Sequence, residues 1–112
     1  MRYQMRLKEI PFVQMLEGKK TLEIRVNDAK RKLIAIDDEI LFINRDNPNQ
    51  TLVKKVVDLR LYNSFADMAN NENCILAGFD KGYTAQEVVD CYHNYYSLEE
   101  EQQFGVLAIE LN

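Results

Sequence analysis

Residue types that mark several familiar classes of site are scarce in this chain of 112 residues. Its two cysteines, Cys74 and Cys91, are too far apart for a Cys-x-x-Cys pair, so neither a redox motif nor a structural zinc site is indicated. The single histidine, His93, has no carboxylate or second histidine three or four residues later, as a helical metal site would require. Gly18 stands alone, which excludes a P-loop or a Rossmann dinucleotide motif. We therefore expect no metal and no cofactor.

Long apolar runs are also missing. No stretch approaches the roughly 18 apolar residues that indicate a membrane helix, and the charged N-terminus has no apolar core behind it of the kind found in a secretory signal. We therefore expect a cytoplasmic protein that does not enter a membrane. With 46% hydrophobic and 29% charged residues, the composition fits one folded domain spanning 1–112.

Positive charge is absent from the C-terminal part of the chain. After Lys81 there are six acids and no Lys or Arg, whereas residues 19–32 hold six Lys or Arg against two acids, a local balance of +4. The net charge of −4 argues against a protein that coats nucleic acid by bulk electrostatics. The asymmetry fits two interpretations: solvated segments that partly neutralise each other, or a cationic pocket mouth.

Alternating patterns and capping signals predict the secondary structure. The predicted strands span 3–7, 22–26, 39–44, 51–62 and 105–111, and the predicted helices span 11–17, 28–32, 65 onward, 85 to 95 or 96, and 98–104. Lys54 and Lys55 interrupt the pattern of the longest strand, which predicts a bulge or strong bend there. Without a regular βαβ rhythm, this order predicts an α+β fold with a small, mostly antiparallel barrel of about five to six strands and short helices around it.

The stretch from Gly18 to Arg25 concentrates a glycine, cations and a carboxylate on a predicted strand. Strict alternation places Thr21, Glu23 and Arg25 on one face. Lys20 lies three residues before Glu23, so on a regular strand the two side chains would point to opposite faces. They converge only if the chain turns or bulges directly after Gly18, which a glycine permits. Otherwise these residues form the exposed face of an edge strand with a weak surface ion pair.

The pattern Gly-x-Lys-x-x-Glu-x-Arg, formed by Gly18, Lys20, Glu23 and Arg25, resembles the signature of the ASCH domain, a PUA-like β-barrel family. Further segments are similar to that family: Ile10-Pro11-Phe12, Asp28-x-Lys30-Arg31, Tyr95-Tyr96-Ser97-x-Glu99, Phe104-Gly105-Val106 and Ile109-Glu110. The resemblance spans nearly the whole chain. It implies a PUA-like barrel with a cleft between the motif and the segment 95–100.

The family resemblance also implies two kinds of activity. Some small ASCH-like proteins resemble amidohydrolases that remove an acyl group from the exocyclic amine of a modified cytidine, with the motif lysine, here Lys20, central to catalysis. In those members a threonine stands where this chain has Glu23. Other relatives resemble RNA-binding or RNA-cleaving proteins. If there is catalysis, the expected roles are activation of water by Lys20 in a desolvated cleft and proton transfer to the leaving amine by Glu23.

We expect an RNA- or nucleotide-binding domain with a cationic cleft. The candidate catalytic residues are Lys20 and Glu23, and the candidate ligand-binding residues are Gly18, Thr21, Arg25, Tyr96, Ser97 and Glu100. Tyr92 and Tyr95 have the helical spacing of core residues, and Ser97 also fits a helix N-cap. The alternatives are an amidohydrolase acting on N-acylated cytidine or a related modified nucleoside, a ribonuclease, and an interaction domain whose acidic C-terminal segment docks a partner.

Overall fold

Five strands and four α-helices make up the computed structural model, which describes all 112 residues. The strands are β1 (Arg2–Leu7), β2 (Leu22–Val26), β3 (Glu39–Asn44), β4 (Thr51–Tyr62) and β5 (Val106–Leu111). The helices are α1 (Glu9–Leu16), α2 (Phe65–Asn71), α3 (Ala85–His93) and α4 (Leu98–Phe104), with short 3-10 helices at Arg31–Leu33 and Cys74–Ala77. None of the helices has the length and apolar character needed to span a bilayer.

The strands form one curled sheet in the order β1-β3-β4-β5-β2. β1 runs parallel to β3, and every other neighbouring pair is antiparallel. Because β1 and β2 are the two edges, the sheet is a half-barrel with an open seam between them. The predicted α+β fold with a small, mostly antiparallel barrel is confirmed in this five-stranded, half-barrel form.

β4 is the strand at which the sheet bends. Residues 51–55 pair with β3 and residues 56–62 pair with β5, and a register shift lies between Val56 and Asp58. No bulge lies at Lys54 and Lys55 themselves, since both lysines pair in register with β3, and the predicted bulge or bend comes directly after them. The irregularity comes where the strand changes partner, and Val56 is fully buried at that point.

The core has two parts because β5, an almost continuous apolar run, is buried on both faces. One face of β5 packs on an interior cluster that α1 closes with Phe12 and Met15. The other face packs on a second cluster that β2 shares with α2 and α3. Leu22, Ile24 and Val26 of β2 belong to this second cluster, so the intervening residues of β2 face the other side.

Three of the four α-helices begin at their predicted residues, each directly after a capping side chain. The Ser64 side chain caps α2 by accepting a hydrogen bond from the backbone of the first turn. Thr84 with Glu87 and Ser97 with Glu100 form complete capping boxes at the starts of α3 and α4. These local hydrogen bonds satisfy N–H groups that a helix start leaves unpaired, which is why the sequence predicted them correctly.

Helix ends differ from the prediction. α3 ends at His93 rather than at 95 or 96, because the chain tightens: the Asn94 N–H donates to Cys91 O at 3.2 Å and the Tyr95 N–H donates to Tyr92 O at 2.9 Å. α1 begins ahead of its predicted start, because a proline in the first turn lacks only an N–H that the helix leaves unpaired there. The helical turn predicted at 28–32 is the 3-10 helix at 31–33.

Candidate functional site

The turn after α1 sets the position of the motif lysine. Gly18 has a φ of +80°, a conformation that glycine adopts without steric cost. The N–H groups of Lys19 and Lys20 both donate to the carbonyl oxygen of Gln14, at 2.9 and 3.1 Å. The chain therefore turns before β2 begins, and Lys20 is only 4% exposed. The turn after Gly18, on which convergence of the motif side chains depends, is present.

Lys20 and Glu23 form a buried ion pair. Lys20 Nζ lies 3.0 Å from Glu23 Oε1, and the two side chains are 4% and 7% exposed. The ammonium group also donates to the carbonyl oxygens of Leu22, at 2.8 Å, and Ala77, at 3.0 Å. Its three N–H bonds therefore have three acceptors inside the protein.

Arg25 adds a second cation to the cluster. Its Nε donates to Glu23 Oε2 at 2.8 Å, and its Nη2 lies 2.7 Å from the same oxygen. Nη2 also donates to the carbonyl oxygen of Arg6 on β1 at 3.1 Å, a bond that spans the open seam of the half-barrel. Glu23 thus lies between two cations, and the cluster of Lys20, Glu23 and Arg25 has a net charge of +1.

Burial and charge act in opposite directions on this cluster. Burial raises the pKa of Glu23, but the charges and hydrogen bonds of Lys20 and Arg25 lower it more, so the pKa lies below its ordinary value. Burial lowers the pKa of Arg25, but the charge and hydrogen bond of Glu23, together with Tyr96 and Tyr92, outweigh burial, so the pKa is raised. Glu23 is therefore ionised and Arg25 protonated at neutral pH.

A cleft of about 350 Å³ opens beside the cluster. Lys20, Glu23 and Arg25 contribute to the polar part of its lining. Four aromatic rings and three further cations also line it: Phe79, Tyr92, Tyr95 and Tyr96, with Arg6, Lys8 and Arg45. The rest of the lining is mostly apolar and includes Leu7, Ile10, Pro11 and Ile24. The cleft thus combines planar π faces with positive charge, which are the features that hold bases and phosphates.

The three tyrosines of the cleft differ in burial. The rings of Tyr92 and Tyr96 stack on the buried Phe65, with centroid distances of 4.9 and 5.6 Å. Burial raises the pKa of both phenols, so each remains protonated at neutral pH and can donate a hydrogen bond. Tyr95 is 64% exposed, and Lys8 Nζ donates to its hydroxyl at 3.1 Å. The interpretation as core residues is therefore wrong for Tyr95 and incomplete for Tyr92, which packs against the second cluster and also lines the cleft.

Four of the predicted ligand-binding residues do not line the cleft. Ser97 and Glu100 are exposed, and their polar atoms bond each other: Ser97 Oγ accepts from the Glu100 N–H and Glu100 Oε1 accepts from the Ser97 N–H, both at 3.0 Å. The capping box thus uses these groups, and of the segment 95–100 only Tyr95 and Tyr96 line the cleft. Gly18 and Thr21 shape the backbone of the motif, and the Thr21 N–H donates to a carbonyl of the 3-10 helix before α3 at 3.0 Å.

His93 has a carboxylate partner that the sequence did not reveal. Its Nε2 lies 2.7 Å from Glu101 Oε1, and Glu101 Oε2 accepts from the Phe65 N–H at 2.6 Å. The pair is eight residues apart and joins α3 to α4, beyond the i+3 and i+4 spacing of one helix face. Glu101 is buried, and the pair lies outside the cleft lining. No group of three or more His, Cys, Asp or Glu side chains is placed to hold a metal ion.

Comparison with solved structures gives three similar proteins. The crystal structure of the hypothetical protein PH0355 is 32% identical with a TM-score of 0.85, and the match covers 100% of this chain and 98% of that chain. The solution NMR structure of protein PF0455 from Pyrococcus furiosus is 32% identical with a TM-score of 0.74, covering 100% and 96%. The crystal structure of ASCH from Zymomonas mobilis, 14% identical with a TM-score of 0.69 over 97% of this chain and 65% of that chain, shares the fold.

Comparison with sequence families agrees with the motif and with the fold. A search of curated proteins finds no significant match. The family model of the ASCH domain, in contrast, matches residues 5–112, which include every residue of the cleft described above. The resemblance seen in the motif is confirmed, and the chain belongs to the ASCH domain family.

Proposed function

We propose that this ASCH domain binds RNA or a nucleotide in the cleft built on the Gly-x-Lys-x-x-Glu-x-Arg motif. The observation that carries the proposal is the juxtaposition, in one cleft of about 350 Å³, of three tyrosines with a buried cluster of net charge +1. This volume falls within the range of about 300–1,000 Å³ that ligand sites occupy. The ASCH family is generally proposed to bind RNA, which supports the same function.

Each part of the cleft has a role in this proposal. The rings of Tyr92, Tyr95 and Tyr96 offer faces on which a base can stack, an interaction that every base can make. Arg25 offers a planar guanidinium fork whose position is fixed by Glu23 and which suits a phosphate oxygen. Lys20 contributes positive charge from inside the wall. The proposal is therefore binding of single-stranded nucleic acid through stacking and phosphate contacts.

The first prediction is that a labelled single-stranded RNA binds the wild type and that Tyr96→Ala weakens this binding by about 5- to 150-fold. The reason is that stacking on one aromatic side chain contributes about 1–3 kcal/mol per base. Fluorescence anisotropy at about 50 and about 200 mM salt measures the affinity and its salt dependence.

Two variants control for this measurement. Tyr96→Phe keeps the ring and should bind nearly as well as the wild type. Tyr83→Ala removes an exposed tyrosine outside the cleft and should leave binding unchanged. Thermal melting establishes that each variant is folded. A wild type that binds no RNA at low salt, or binds it without salt dependence, contradicts the proposed function.

Amide hydrolysis on an N-acylated cytidine or a related modified nucleoside is the second candidate function. It is favoured by the approach of Lys20 Nζ to within 3.0 Å of Glu23 Oε1 in the lining of the cleft. A base needs a free lone pair on the amine, and in this structure all three N–H bonds of the ammonium group have acceptors. As a base, Lys20 must therefore lose one ammonium proton to solvent before it can accept a proton from the attacking water, and the contact made through the lost proton must be given up.

The second prediction tests this candidate with N-acetylcytidine. If Lys20 is the base, the wild type releases acetate, and Lys20→Arg lowers turnover by about 10²- to 10⁴-fold, because arginine keeps the charge but does not deprotonate. Chromatography of the nucleoside product measures the rate. Turnover that persists in Lys20→Arg contradicts the mechanism. An inactive wild type contradicts the hydrolase function and leaves binding as the proposed function.

A further inference from the structure

We infer that a second, basic groove beside the cleft holds the phosphates of a bound strand, so that the ligand is an oligonucleotide rather than a free nucleoside. This inference rests on the proposed function, because the groove is assigned to the same ligand as the cleft. The groove has a volume of about 540 Å³. None of its eight lining residues is an acid, and five are Lys or Arg: Arg6, Arg25, Lys30, Arg31 and Arg45.

Much of the positive charge in the groove is free to meet a ligand. Arg25 and Arg31 are paired, with Glu23 at 2.7 Å and Asp28 at 3.2 Å. The other three cations, Arg6, Lys30 and Arg45, are exposed and form no ion pair within the chain. A cluster of uncompensated cations repels itself, and an anionic ligand relieves that repulsion.

The groove and the cleft are continuous. Arg6, Arg25 and Arg45 line both of them. Arg25 lies at the junction, where it donates to the Arg6 carbonyl across the seam. A base stacked among the tyrosines of the cleft would therefore have its sugar-phosphate directed past Arg25 and into the groove. Two or more phosphates in sequence match this arrangement, whereas a nucleoside has none.

The chemistry of the groove favours nucleic acid over an acidic protein segment. Arginine, which supplies four of the five cations, presents a planar fork that pairs with two phosphate oxygens. An acidic peptide would meet the same charge, but it would not use the aromatic rings that adjoin the groove. Competition by polyglutamate against a labelled RNA separates these two ligands.

Calorimetric titrations with cytidine, cytidine 5′-monophosphate and a short single-stranded oligocytidylate test the inference. We expect the affinity of the wild type to rise along this series. The variant Lys30→Gln/Arg45→Gln should bind the oligonucleotide roughly 25-fold more weakly at about 0.1 M salt, since each phosphate contact adds about 0.7 to the slope of log K against log salt. The slope should fall by about 1.4, and cytidine, which carries no phosphate, should lose less affinity than the oligonucleotide.

The matched control is Lys32→Gln/Lys81→Gln, which removes the same charge from exposed sites outside the groove. It should weaken binding of the oligonucleotide by less than the groove variant does, and the slope of log K against log salt should stay near that of the wild type. If both double variants weaken oligonucleotide binding equally, the inference about the groove is overturned. It is also overturned if the nucleoside binds as tightly as the oligonucleotide. Displacement of RNA by polyglutamate at matched charge also overturns it. If the wild type binds no oligonucleotide, the proposed function is contradicted as well. If the groove variant binds the oligonucleotide tightly, only this inference is contradicted.

Discussion

Glu23→Gln is expected to lower the free energy of unfolding by about 3–5 kcal/mol, the usual cost of removing one partner from a buried ion pair. Glu23 is the only carboxylate that contacts Lys20 and Arg25, at 3.0 and 2.7 Å. An amide in its place keeps the shape but leaves the buried Lys20 and the largely buried Arg25 without a counter-charge. Urea unfolding at neutral pH measures the loss.

Glu39→Gln is the matched control for this prediction. Glu39 also lies on a strand and also pairs with an arginine, since its carboxylate accepts from Arg2 at 3.0 Å. The two side chains of that pair are 55% and 49% exposed, and such pairs contribute about 0–1 kcal/mol. Equal losses from Glu23→Gln and Glu39→Gln contradict the importance assigned to burial.

The loss of stability in Glu23→Gln should also depend on pH in a defined way. The folded-state pKa of Glu23 lies below its ordinary value of 4.5, so the carboxylate contributes stability above that value and loses the contribution as the pH falls through the folded-state pKa. The difference in stability between wild type and Glu23→Gln should therefore be constant near neutral pH and shrink in acid. Urea titrations from neutral pH down to about pH 3 measure it. A difference that stays constant or grows in acid contradicts the role of the ionised carboxylate.

The sequence predicted those parts of the molecule that local interactions determine. The alternation in β2 and the capping boxes at Thr84 and Ser97 involve residues within four positions of each other, so their outcome depends little on the rest of the fold. The convergence of Lys20 and Glu23 was predicted only on the condition of a turn after Gly18. That turn is made by hydrogen bonds to Gln14, which the strand pattern does not contain.

The composition of the cleft and of the groove could not be predicted in the same way. Helical spacing marks Tyr92 as inward-facing but does not distinguish a core from a cleft, because the cleft is formed partly by β1 and α1 far away in the chain. Arg6 and Arg45 meet because β1 and β3 pair in parallel, with Leu7 opposite Asn44 at their ends. Counting the charges along one segment of the sequence does not reveal such a pairing.

Arg25→Lys is expected to weaken oligonucleotide binding by about 10- to 150-fold, while lowering stability by only about 1 kcal/mol. A hydrogen bond to a charged group contributes about 1.5–3 kcal/mol, and the lost bond to the Arg6 carbonyl about 1 kcal/mol. Lysine preserves the charge beside Glu23, so the ion pair survives. It has no planar fork, so it cannot hold Glu23, reach the Arg6 carbonyl at 3.1 Å and face a phosphate at once.

Arg60→Lys should have the opposite effects: lower stability and unchanged RNA binding. Arg60 is held by three carboxylates on β4, β5 and the end of α2, at 2.6 Å from Glu72 and Asp58 and 2.9 Å from Glu110, and it lines neither the cleft nor the groove. Its replacement breaks several charge-assisted bonds and should lower the melting temperature without changing RNA affinity. Anisotropy titrations and thermal melts of the two variants therefore form one experiment. If Arg25→Lys binds RNA like the wild type, or if Arg60→Lys weakens RNA binding as much as Arg25→Lys does, then Arg25 does not hold the RNA where the cleft meets the groove.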